Sequence, residues 1–188
     1  MKSVLISLAL MAGLAVAVVG YLTLAPADKL TGDTFAARPV WVEQKWPFPM
    51  DQWGTGRAFE CTAMDCGTVG RLYLRAKLGS CNCENGVADD ADLDRMSDFD
   101  LIGSEVSPVG AGRPVTVGWM KGRSRAYLLT ARNLKGKSAI SVILNDRCDM
   151  IVATVITPQE RTAAIELAVT EFLNSRIVLD WAEVALGI

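Results

Sequence analysis

The chain has 188 residues, with 19 Lys plus Arg against 21 Asp plus Glu, five cysteines and no histidine. That length suits one membrane-proximal segment and one compact domain, and a net charge of −2 leaves no electrostatic footprint for nucleic acid. Without histidine, Ser–His–Asp and Cys–His nucleophile systems, histidine-ligated zinc hydrolases and histidine-held haem are excluded within this chain, and no Ser-x-x-Lys, Walker A loop or dinucleotide fingerprint is present.

The first element is Val4 to Ala25, "VLISLALMAGLAVAVVGYLTLA", an uncharged apolar run. As a helix rising about 1.5 Å per residue it reaches roughly 33 Å, enough to span a bilayer core. The competing reading is a cleaved signal peptide, since Ala25-Pro26-Ala27 supplies small residues before a cleavage at Asp28. The run is longer than an ordinary signal core, which favours an uncleaved anchor over residues 1–27. Lys2 precedes the span while Lys29 and Arg38 follow it, so the charge rule alone does not set the orientation. A span that begins at residue 4 resembles an export signal. The expectation is a bacterial inner-membrane protein with its domain in the periplasm, or a secreted one if cleaved after Ala27.

Residues 28–56 are rich in Pro, Gly and Trp and have no sustained period, which reads as a tether. Pro47 and Pro49 bias Trp46 and Phe48 toward extended geometry. Trp41, Trp46 and Trp53 either pack on the domain as a covering strand or form a partner-binding belt.

Residues 57–188 are expected to form an α+β domain, a mainly antiparallel sheet of about five strands packed by C-terminal helices. In "VGRLYLRAKL", residues 69–78, Arg71, Tyr73, Arg75 and Lys77 alternate with Leu72, Leu74, Ala76 and Leu78, as in a half-buried strand. Those three cations could meet an anionic ligand or the acidic loop that follows, or simply be solvated, and with Arg123 they could contact an anion, a lipid phosphate or a protein partner. "RPVTVGWM" and "SRAYLLT" flank Lys121-Gly122-Arg123, which predicts a hairpin turning there. "SAISVILND" and "CDMIVATVI" flank a turn at Asn145 to Arg147, and the second is apolar on both faces, as a central strand should be. Thr157-Pro158-Gln159-Glu160 matches a capping box. It predicts a helix to about Asn174 that buries Ala164, Ile165, Ala168, Val169, Phe172 and Leu173. A shorter helix follows, with Val178, Trp181, Ala182 and Ala185 inward and Gly187 near its end.

The candidate chemistry lies in Cys61, Cys66, Cys81, Cys83 and Cys148. Outside the cytoplasm such thiols oxidise, giving two disulfides and one free thiol. A direct Cys81–Cys83 bond would close a small strained ring. The expected pairing therefore joins Cys61/Cys66 to Cys81/Cys83 across the intervening strand, with Cys148 a possible substitute for any of them or a small buried side chain in a central strand. The alternative is a zinc or copper thiolate site, or a thiol-redox centre, built from Cys61, Cys66, Cys81 and Cys83. Cys-x4-Cys-Gly looks like one zinc-ribbon knuckle, whereas Cys81-x-Cys83 lacks the usual second spacer.

Asp89, Asp90, Asp92, Asp94, Asp98 and Asp100 begin like a calcium loop, but Arg95 and Leu101 stand where Gly and Glu would be needed. A solvated helical turn capped at Asp89 or Asp90 fits better. The combined expectation is a membrane-anchored, disulfide-stabilised binding or assembly protein with a protein partner in the envelope and no catalytic site or cofactor.

Overall fold

Strands are the most abundant regular element of the computed structural model, which describes residues 40–103 and 105–188. They are β1 (Trp41–Gln44), β2 (Arg57–Cys61), β3 (Gly70–Lys77), β4 (Val106–Val117), β5 (Met120–Leu129), β6 (Lys137–Asp146) and β7 (Asp149–Pro158). All neighbours pair antiparallel, in the order β1-β2-β3-β7-β6-β5-β4. After β3 the chain crosses one face of the sheet to the far edge, then meanders back until β7 lies beside β3. The sheet thus has seven strands rather than five. The two additional ones, β1 and β2, are four and five residues long, too short for alternation to stand out in the sequence. Trp41, within the stretch read as tether, is buried in β1.

Among the described residues the α-helices are α1 (Ala63–Cys66), α2 (Asp90–Met96), α3 (Thr162–Leu173) and α4 (Arg176–Leu186). The last two cover one sheet face. There Leu72, Leu74, Ile140, Val142, Leu144, Ile151, Ala153 and Val155 meet Ile165, Val169, Leu173, Val178 and Ala182. Each fully buried aliphatic side chain of this kind stabilises by about 1.5–3 kcal/mol. The other face carries the β3–β4 crossover, where Leu93 of α2 packs on Ile143, Met150 and Val152. Beside it, Phe99 stacks edge-on against Tyr127, with ring centroids 4.6 Å apart. Strands β6 and β7 are therefore buried on both faces, which is why β7 reads as continuously apolar.

Three local expectations shift. The β4–β5 turn lies at Gly118-Trp119, because Val117 pairs with Met120, and Gly118 takes a left-handed φ of 54°. Lys121-Gly122-Arg123 is inside β5. A Cβ on Gly122 would lie 1.7 Å from the Ile143 carbonyl oxygen, so this glycine permits close strand approach instead of a turn. Thr157 caps no helix: its hydroxyl donates to the Val69 carbonyl at 3.2 Å, β7 continues through Pro158, and α3 begins at Thr162. The break at Asn174-Ser175 and the left-handed Gly187 after α4 follow the sequence, although Ala164 faces solvent.

Among the described residues no helix is long and apolar enough to cross a membrane. The Val4 to Ala25 span lies outside them.

Candidate binding cleft

The crossover helix α2 brings acids onto the cations of the sheet. Asp89 caps it, accepting the Asp92 backbone N–H at 2.9 Å, and the helix then places Asp90 and Asp94 on one face. Asp90 accepts from Arg123 Nη2 at 2.5 Å and from the Gly112 N–H at 2.8 Å. Asp94 accepts from Arg125 Nη1 at 3.1 Å and from the Tyr127 hydroxyl at 2.5 Å. Asp98, four residues further and just past the helix, accepts from Arg75 through Nε at 3.0 Å and Nη2 at 2.6 Å, and pairs with Lys77 Nζ at 2.5 Å. Arg75 also pairs with Asp51, which follows β1. Asp90, Asp94 and Asp98 thus form a counterion strip, whereas Asp89 caps the turn as expected and Asp100 stays exposed; the four-residue spacing is the signal that could have revealed the strip.

Two carboxyls titrate below their ordinary value as a result. Asp51 is held down first by the Trp53 N–H and then by Arg75, and Asp90 first by the Gly112 N–H and then by Arg123. Tyr127 moves the other way. Burial and the hydrogen bond to Asp94 raise its pKa, so it stays a phenol donor.

The four cations expected to meet an anion are all matched within the fold. Arg71 pairs with Glu60 at 3.2 Å on the exposed side of β3, Arg75 and Lys77 are buried with Asp98, and Arg123 is taken by Asp90. Alternation places Arg75 and Lys77 on a polar face correctly, but that face is roofed by the crossover.

The cysteines pair Cys61 with Cys66 and Cys83 with Cys148, leaving Cys81 free. Two bonds and one thiol match the expectation. The expected cross-strand pairing does not, and the reason is the length of β3. Cys61 sits opposite Gly70 at one end of that strand, while Cys81 and Cys83 follow Lys77 at the other, roughly 23 Å away at ~3.3 Å per residue. The same separation keeps Cys61, Cys66, Cys81 and Cys83 from converging as a zinc or copper site. Among the described residues no cluster of three or more Cys, Asp or Glu is placed to hold a metal ion. Cys148 lies in the β6–β7 turn, not in a central strand. Cys81 Sγ donates to the Arg147 and Asp149 carbonyls at 3.3 and 3.5 Å, and burial, then the Asp149 charge, push its thiol pKa up. A neutral thiol is a poor nucleophile and a poor metal ligand.

The loop from residue 78 to 89 is fastened to the β6–β7 turn at several points. The Cys83–Cys148 bond holds its centre, the Cys81 N–H donates to the Cys148 carbonyl at 3.1 Å, and the Gly79 N–H donates to Asp149 at 2.6 Å. Gly86, with φ 57°, lies so close to Asn145 that a Cβ would fall 2.3 Å from its amide group. Between this loop, α2 and the segment after β1 opens a cleft of about 440 Å³, which includes Trp53, Lys77, Asn82, Asn85, Arg95 and Met150 in its wall. A second hollow of about 360 Å³ adjoins it, sharing Trp53, Lys77 and Arg95. The Lys77 ammonium lies 5.9 Å from the Trp53 ring centroid. The buried Arg75–Asp98 pair and the Arg75–Asp51 pair line the second hollow. Trp46, Phe48 and Tyr73 form an aromatic cluster, with Phe48 and Tyr73 centroids 4.9 Å apart, and Phe48 also lines the second hollow. No protein-family model, curated protein or solved structure matches this chain.

Proposed function

We propose that this chain is an extracytoplasmic binding or assembly protein of the bacterial cell envelope, anchored by its N-terminal apolar run, stiffened by two disulfides and not catalytic. The observation that carries the reading is the pair of cystines, Cys61–Cys66 and Cys83–Cys148, since such bonds persist in oxidising compartments. The second of them fixes one wall of the Trp53 cleft, so oxidation and a preformed binding surface go together. Preorganisation of that kind lowers the ordering cost of binding.

The test is the intact mass of the protein from its native membranes, taken without reductant, with and without alkylation in denaturant. A chain about 4 Da lighter than its reduced form, with one alkylatable thiol, is the expected result. Five alkylatable thiols in a cytoplasmic fraction would overturn the reading.

A further inference from the structure

We propose that the cleft between Trp53 and the Asn82–Asn85 turn binds a neutral oligosaccharide. The proposal rests on the reading of this domain as an extracytoplasmic binding module.

Charge comes first. The ionised groups lining the larger cleft each face a counterion, Lys77 meeting Asp98 and Arg95 meeting Asp92; in the adjoining hollow Arg75 meets Asp98 and Asp51, beside the Asp100 carboxylate. An anion reaching Lys77 would compete with the buried Asp98 carboxylate, whereas an uncharged ligand leaves that pair intact.

Hydrogen bonding comes second. Asn82 uses only its Oδ1, accepting from the Glu84 and Asn85 N–H groups at 2.8 and 3.1 Å. Its amide NH2 therefore remains available, as does the whole amide of Asn85, which makes no side-chain bond among the described residues. Arg95 spends Nη2 on Asp92 and keeps Nε and Nη1. These planar donors line the cleft together with the apolar side chains of Trp53, Met96 and the buried Met150. A pyranose matches that pattern, with a C–H face for an aromatic ring and pairs of oxygens at its edge for amide and guanidinium forks.

Other ligand classes fit less well. An extended peptide would need a free strand edge, but β3 is paired on both sides, by β2 and β7. A wholly apolar ligand would leave the Asn82, Asn85 and Arg95 donors unsatisfied. The two adjoining hollows also give length for more than one sugar ring.

The experiment is calorimetric titration of the full-length protein in lipid nanodiscs with chitotetraose, cellotetraose and, as a charged comparison, a heparin tetrasaccharide. Saturable binding of chitotetraose or cellotetraose is expected, weakened about tenfold by Trp53→Ala and by Asn85→Ala. Asn85 is exposed and bonds to nothing through its side chain, so its effect reports contact with the sugar and not stability. Three results would overturn the proposal: no heat from either neutral tetrasaccharide, binding that both substitutions leave unchanged, or tighter binding of the heparin fragment. A protein that fails these titrations yet carries both cystines at the membrane refutes the sugar and leaves the binding-module reading in place. One that is reduced and cytoplasmic removes both.

Discussion

Arg75 and Asp98, one on a central strand and the other on the crossover above it, meet through two hydrogen bonds, Nε to Oδ2 at 3.0 Å and Nη2 to Oδ1 at 2.6 Å. Both side chains are almost fully buried, at 6 % and 4 % exposure, and Lys77 shares the same carboxylate. The pair ties the crossover to the sheet under the cleft and decides how that region responds to mutation.

Asp98→Asn should therefore be costly. It leaves Arg75 with only Asp51 and Lys77 with no anion, and breaking a buried pair from one side destabilises by about 3–5 kcal/mol. Glu60→Gln, which removes the exposed partner of Arg71, should cost less than about 1 kcal/mol. Urea unfolding of the two variants checks the contrast, and equal losses would show that Asp98 is solvated.

The two cystines should contribute unequally. Cys83–Cys148 joins residues 65 apart and Cys61–Cys66 residues 5 apart. Loop-closure entropy then assigns about 4 kcal/mol to the first and ~2 kcal/mol to the second. Unfolding of the Cys83→Ser/Cys148→Ser and Cys61→Ser/Cys66→Ser double variants measures both, and a larger loss from the short loop would contradict the argument.

Acid should weaken the fold with a definite sign. Asp51, Asp90 and Glu43 have lowered folded-state pKa values, Glu43 through its hydrogen bonds to Arg57. Below the ordinary carboxylate range the unfolded chain binds more protons than the folded one, so stability rises with pH there. The urea midpoint should stay flat from neutral pH to about 5 and fall as pH drops through ~4. Asp90→Asn should flatten part of that fall. A midpoint that increases on acidification would reverse the sign and refute the pairing.

Cys81 should behave as an inert thiol. Burial and Asp149 raise its pKa, so iodoacetamide at pH 8 should modify it at least about tenfold more slowly in the native protein than in urea. Rapid native alkylation at neutral pH would revive a thiol-redox role for this residue.

Gly122→Ala tests the packing of β5 against β6. A methyl group cannot fit 1.7 Å from the Ile143 carbonyl oxygen, and because that neighbour is backbone the strands must separate. A loss of about 3 kcal/mol or more is expected, read from thermal unfolding, whereas Gly136→Ala, with open space around it, should register only the strain of its left-handed backbone.

What the sequence determined was whatever short-range periodicity encodes. The alternation of β3, the apolar runs of β6 and β7, the inward stripe of α3 and α4, and the Asp89 cap each record which face of a local element is buried, so an antiparallel α+β fold with C-terminal helices was legible from them. The count of two disulfides and one thiol followed from cysteine number and the expectation of an oxidising environment. Tertiary structure alone decided which partners meet. Cys83 finds Cys148, and Asp90, Asp94 and Asp98 find Arg123, Arg125 and Arg75, because strand order brings β7 beside β3 and the crossover over both. Those choices depend on register and on distances along strands, which residues far apart in the chain set jointly and no local pattern records. The same holds for the Trp53 cleft, whose walls come from segments before β2, after β3 and in α2, and which exists only once the sheet beneath them has closed.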